Sequence, residues 1–126
     1  MKKLLLTLLA SLLFTGAAWA KWEKVSENDY GDFYIDPETI RKDGSLVRVW
    51  EIQNLIQRDK DGELSVRMRV EYDCKQERYR NLSFSTHSEA MASGRILMNS
   101  GGGNFPWRDT PPGSPSETNL KIVCAK

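Results

Sequence analysis

Glu63-Leu64-Ser65-Val66-Arg67-Met68-Arg69-Val70-Glu71-Tyr72-Asp73-Cys74 alternates without a break: every even position is apolar and every odd position is polar or charged. A period of two is the signature of a strand with one face in a core and the other in water. Antiparallel sheets tolerate a wet face and parallel ones rarely do. The segment therefore predicts an antiparallel sheet whose buried face carries Val66, Met68, Val70, Tyr72 and Cys74.

The flanks extend that sheet. Upstream, Leu46 to Ile56 is rich in strand formers, with Val47, Val49, Trp50, Ile52, Leu55 and Ile56. Its alternation is poorer, which predicts a bulge or burial on both faces. Asp59-Lys60-Asp61-Gly62 joins the two strands as a hairpin turn, with Gly62 free to take the positive φ such turns need. Downstream, Lys75 and Gln76 make a tight turn, and Arg78 to Thr86 reads as a third strand with Tyr79, Leu82 and Phe84. Trp22 to Glu27 and Asp32 to Asp36 add two shorter strands. Turns follow at Asp36-Pro37-Glu38-Thr39 and Lys42-Asp43-Gly44. Glu89 to Met98 is ambiguous between strand and helix and is read as strand. Ser100 to Asn104 is a Gly-rich loop, and Trp107 to Pro115 a Pro-rich connection.

At the C-terminus the period changes. Ser114 as N-cap, Pro115 in the first helical position and Glu117 completing a capping box open a helix to about Cys124. Leu120, Val123 and Cys124 share one face of it. The strand period thus puts Cys74 on the inner face of the sheet, and the helix period puts Cys124 on the apolar face of the helix. A metal pair lacks ligands, since His87 is the only histidine, and a redox pair wants CxxC spacing. The expectation is a Cys74–Cys124 disulfide stapling the helix across the inner face. The predicted fold is α+β, a single antiparallel sheet with a C-terminal helix packed on it.

The N-terminus carries export information. Lys2 and Lys3 precede an apolar run from Leu4 to Phe14, and Ala18-Trp19-Ala20 is a small-x-small cleavage signature. Residues 1–20 are read as a cleaved secretory signal peptide and 21–126 as one domain. The run is shorter than the roughly 20 apolar residues of a membrane span, and no second one follows. The full chain of 126 residues holds 18 basic and 17 acidic residues. Without Lys2 and Lys3 the balance is slightly acidic, which argues against bulk nucleic-acid binding.

No catalytic, cofactor-binding or metal-binding set emerges. His87 has Ser85 and Ser88 as neighbours but no nucleophile elbow, and it reads as a surface histidine at a strand end. Asp59/Asp61 and Glu71/Asp73 fall in a turn and on a wet strand face. The candidate binding patch is Arg67, Arg69, Arg78 and Arg80. A two-residue turn at Lys75-Gln76 sets Asp73 opposite Arg78 and Glu71 opposite Arg80, so one reading is cross-strand charge pairing. The other is a partly uncompensated basic patch for a glycosaminoglycan or an acidic protein segment. Trp107 reads as a lid over the core edge or as a recognition aromatic.

The order Trp22, Phe33-Tyr34-Ile35-Asp36, Thr39-Ile40-Arg41, Val47-Arg48-Val49-Trp50, Arg69-Val70-Glu71-Tyr72-Asp73-Cys74, Trp107, Leu120 and Val123-Cys124 resembles the bacterial surface-adhesin protein E domain family. The resemblance covers nearly all of residues 21–126. It implies an antiparallel sheet with a disulfide-tied C-terminal helix, and binding of host extracellular proteins such as vitronectin and laminin. It implies no particular binding residue. The adhesin that gives the family its name is a lipoprotein, and no cysteine follows Ala20 here to carry the lipid. The expectation is a non-enzymatic exported binding module, periplasmic or secreted, with a macromolecular protein partner and possible pairing of two copies through a sheet edge. The alternative is a periplasmic accessory protein with a bacterial partner.

Overall fold

The computed structural model of the protein describes residues 21–103 and 105–126. The leader read over residues 1–20, and Asn104 of the Gly-rich loop, lie outside them. Eight strands form one antiparallel sheet: β1 (Glu23–Asn28), β2 (Gly31–Ile35), β3 (Arg41–Asp43), β4 (Leu46–Leu55), β5 (Ser65–Asp73), β6 (Arg78–Glu89), β7 (Ser93–Ser100) and β8 (Arg108–Asp109). Among the described residues one α-helix, α1 (Pro115–Ala125), follows the strands. The sheet order is β1-β2-β4-β5-β6-β7, with β3 also on β4 and β8 also on β6.

The two long strands beside β5 each carry two partners along their far edge. β2 pairs with Glu51–Leu55 of β4, and β3 with Leu46–Arg48. The chain crosses between them on a short 3-10 turn, Pro37–Thr39, capped by the Asp36 side chain. Asp36 donates its N–H to the Trp50 carbonyl (3.1 Å), and the Thr39 hydroxyl accepts from the Trp50 N–H (3.0 Å). The gap in the ladder is therefore satisfied by the turn itself, as buried backbone groups require. Gly31 is a necessity of the β2–β4 pairing: a Cβ there would stand 2.0 Å from the Asn54 carbonyl oxygen.

β6 contains the irregularity that sets the outer face. Arg69 pairs with Ser83 but Val70 with Asn81, leaving Leu82 as the extra residue of a bulge. Before the bulge the odd residues Tyr79 and Asn81 stand with the inner side of β5. After it the even residues Phe84 and Thr86 do. Arg78 and Arg80 thus share a face with Ser83, Ser85 and His87.

The core is Ile35, Val47, Val49, Val70 and Tyr72 from the sheet with Leu120 and Val123 from the helix. Burying side chains of this kind contributes roughly 1.5–3 kcal/mol each. Cys74 and Cys124 are joined, with Cα atoms 5.8 Å apart, so the helix is tied to the inner face as the two periodicities predicted. Closing a chain segment of 50 residues is worth about 4 kcal/mol in the chain-entropy model. Ser114 caps the helix by accepting from the Glu117 N–H (3.2 Å). The reciprocal half of the capping box is not made. Pro111 takes the Ser114 N–H, and the Glu117 carboxylate turns to the Gly113 N–H and to Lys121.

β4 is buried on both faces: Val47, Val49 and Glu51 inside, and Ile52 on the other side. The turn after β5 is a four-residue loop, Cys74 to Glu77, with Glu77 at positive φ. It preserves the register of a two-residue turn, so Asp73 still faces Arg78 and Glu71 faces Arg80. The ambiguous segment resolves as the end of β6, a turn over Ala90 to Ala92, and edge strand β7.

Candidate binding surfaces

The face of the sheet away from the helix holds all four candidate arginines, and the structure divides them into two pairs. Glu71, read as water-facing, is 1% exposed, and Asp73 is 5% exposed. The period of two was right about their side of the sheet, but that side is covered here by guanidinium groups. Arg48 donates to Glu71 Oε2 (2.8 Å), and Arg80 donates twice to Oε1 (2.9 and 2.7 Å). Arg78 reaches Asp73 (3.3 Å), whose Oδ1 also accepts from the N–H groups of Lys75 and Gln76 at 3.1 Å each.

Both arginines lie against Trp107, with Cζ atoms 4.5 Å (Arg78) and 4.4 Å (Arg80) from the ring centroid. Trp107, read as a lid over the core edge or as a recognition aromatic, packs on these two arginines. It sits on the face of the sheet away from the helix, fixed there by two cation–π contacts. Burial pushes the Glu71 carboxyl up, and the hydrogen bonds from Arg48 and Arg80 more than offset this, leaving it below the usual carboxylate range. The Gln76 N–H is the main cause holding Asp73 low. Arg78 and Arg80 are thus engaged in holding the structure together.

Arg67 and Arg69 differ. Among the described residues neither has a carboxylate within ion-pair distance. Arg67 is exposed and lies over Trp50, 4.3 Å from the ring centroid. Beside it β6 and β7 form a groove of about 300 Å³, lined by Trp50, Phe84 and Ile96 as well as by Ser83, Ser85, His87 and Asn99. The surface is half apolar, and the Arg67 guanidinium gives it a positive bias.

His87 is a correction to the sequence reading: it is 5% exposed, paired inside the sheet between Ser65 of β5 and Ile96 of β7 rather than at a free strand end. Its Nε2 lies 2.8 Å from Ser85 Oγ, while Nδ1 has no protein partner. A nucleophile–base pair needs a third group to orient the imidazole, and none stands there among the described residues. Burial, with Arg67 adding to it, pushes the imidazole pKa down.

Under the helix lies a polar group the sequence reading missed. Glu51 is 3% exposed. It accepts from Tyr72 OH on one oxygen and from Asn119 Nδ2 (2.8 Å) on the other, and Ser26 in turn donates to Asn119 Oδ1 (3.2 Å). Burial pushes the Glu51 carboxyl up to about 7. The signal was available: the parity that places Val47 and Val49 inside also places Glu51 inside.

The family model for surface-adhesin protein E matches residues 22–125. The chain belongs to the surface-adhesin protein E family. The solved structure of Haemophilus influenzae protein E in crystal form II superposes with a TM-score of 0.65 at 18% identity, covering 86% of this chain and 91% of that one. Another structure of Haemophilus influenzae protein E gives 0.63 at 17% identity, over 86% and 87%. Protein E from non-typeable Haemophilus influenzae gives 0.61 at 18%, over 88% and 79%. At these identities the structures share the fold with this chain. A search of curated proteins finds no match. Family membership implies an exported, adhesin-like protein with protein partners. Among the described residues no helix is long and apolar enough to cross a membrane, and no three His, Cys, Asp or Glu side chains converge as metal ligands do.

Proposed function

We propose that this protein is an exported, non-enzymatic binding module whose outer sheet face engages an acidic segment of a host extracellular protein. Residues 1–20 act as a cleaved leader and 21–126 as the working domain, delivered to the periplasm or beyond it. The observation that carries the reading is the division of the arginines. Arg78 is ion-paired with Asp73, and Arg80 with Glu71, which Arg48 shares, while Arg67, on the wall of the outer groove, and Arg69, two residues on along β5, have no carboxylate partner among the described residues. Family membership supports the adhesin class.

The test is binding of the purified, oxidised protein to immobilised vitronectin, laminin and a sulfated polysaccharide, across a range of salt. Saturable binding that weakens with salt is expected, since exposed charge contacts are screened. R67A/R69A should weaken it roughly tenfold, the equivalent of about 1.4 kcal/mol. No saturable binding to any of the three, or binding untouched by the double variant, counts against the outer face. Protease shaving of intact cells, run beside osmotic-shock release, addresses location. Protection from shaving with release by shock would favour the periplasmic accessory reading.

A further inference from the structure

The helix covers only part of the inner face. Beside its first turns the sheet leaves a recess of about 160 Å³. Its walls divide by chemistry. Met68 and Val70 are apolar, Phe33 and Tyr79 present rings, and at the helix end stand Glu51 and Asn119. Among the described residues lining the recess, Glu51 is the only one whose side chain carries a formal charge. Each of its oxygens takes one protein hydrogen bond, from Tyr72 and from Asn119. A carboxylate can accept about four, so acceptor capacity is left over. Both donors, a phenol and an amide, are neutral, so among the described residues its charge meets no counter-ion.

We propose that this recess binds a small organic ammonium ion, its nitrogen donating to the Glu51 carboxylate and its hydrocarbon part lying along Met68, Val70 and the rings of Phe33 and Tyr79. The chemistry of each wall matches one part of such a ligand. A desolvated carboxylate is the complement of an ammonium group, aromatic faces attract cations, and the apolar strip takes the carbon chain. A cavity of about 150 Å³ holds a molecule of benzene size, which sets the scale of the tail. The site lies on the opposite side of the sheet from Arg67 and Arg69 and does not depend on the outer-face reading.

Binding holds Glu51 ionised, so the amine displaces a proton wherever the empty protein keeps Glu51 protonated, which its value of about 7 places below neutrality. The other titratable groups in the recess are the phenols of Tyr72 from β5 and Tyr79 from β6. β2 contributes Phe33, β4 adds Gln53, β6 Asn81, and the helix contributes Ser116 and Asn119, none of which titrates. Arg108 lines an adjoining recess that shares Tyr79 and Asn81.

The test titrates the oxidised protein with n-butylamine, n-butanol and butyrate, by NMR chemical shifts and calorimetry, between pH 5 and pH 8.5. Butylamine should saturate resonances of Phe33, Met68 and Tyr79, and bind at least roughly tenfold tighter at pH 8 than at pH 5, following the ionisation of Glu51. At pH 6 its heat should vary with buffer ionisation enthalpy, reporting proton release. E51Q should erase the preference for butylamine over butanol. Butanol binding as well as butylamine, a flat pH profile, or unchanged amine affinity in E51Q would each overturn the proposal. Should E51Q fail to fold, the amine–alcohol comparison and pH profile of the unaltered protein decide it alone.

Discussion

Glu51 and Glu71 lie on neighbouring strands, both almost without solvent exposure, and meet opposite electrostatic fates. Glu71 has two guanidinium groups and is held below the usual carboxylate range. Glu51 has a phenol and an amide, and burial raises it to about 7. The consequences for stability have opposite signs. Between about 4.5 and about 7 the folded protein keeps a proton on Glu51 that the unfolded chain has released. Stability from this group is therefore fully present below the unfolded value and is lost as pH rises through about 7. A shift of that size is worth on the order of 3 kcal/mol. Glu71 and Asp73, both lowered, contribute stability that is present above their unfolded values and lost as pH falls below them. The melting temperature should thus peak in mildly acidic solution. From pH 5 to pH 8 it should fall in the native protein, whereas in E51Q the lowered His87 imidazole is left to raise it slightly as pH rises through about 6.5, read by circular dichroism. Equal slopes for the two proteins would show that Glu51 titrates at its ordinary value.

At the scale of elements, the helix depends on one covalent tie and a short apolar face. Leu120 and Val123 are its buried apolar side chains, while the sheet beneath has a ladder of its own. The disulfide joins β5's end to the helix's last turn. C74S should therefore release the helix without melting the sheet: limited proteolysis should cut near Leu120 at least roughly tenfold faster, given about 4 kcal/mol from the closed loop, while β4 and β5 amides stay protected. Equal cleavage rates would mean that packing alone holds the helix. These elements were legible because each is governed by one period. Alternation from Leu64 to Cys74 and the 3.6 repeat over Leu120, Val123 and Cys124 each place a cysteine independently of the other. The bulge at Leu82 was not legible, because an extra residue in a strand leaves no local mark on a pattern already mixed by Asn81 and Ser83. The burial of Glu71 also escaped: the turn register gives its partner Arg80, but the second guanidinium, Arg48, comes from β4, 23 positions away, at a distance no periodicity reports. His87 was missed for the same reason.

For the whole molecule, a single open sheet has two edges, and the chain treats them differently. β1 carries Lys24, which pairs with Glu27 and Asp32. Charges of this kind discourage another strand from adding to an edge. β7 instead exposes Ile96 (61%) and Met98 (57%), with Leu97 between them. Apolar side chains beside unpaired strand backbone form a template for a further strand. Two copies joined through β7 would extend the sheet and cover these side chains, and Ile96 also lines the outer groove beside Arg67. Self-association and engagement of an acidic partner would then compete for the same margin. The expected outcome is a sedimentation coefficient that rises with concentration in the native protein and stays at the monomer value in I96K/M98K. The same variant should bind an acidic partner at least as well as the native protein, because the groove is no longer covered. Concentration-independent sedimentation of the native protein would show that β7 does not pair with a second copy, leaving the groove open in the monomer.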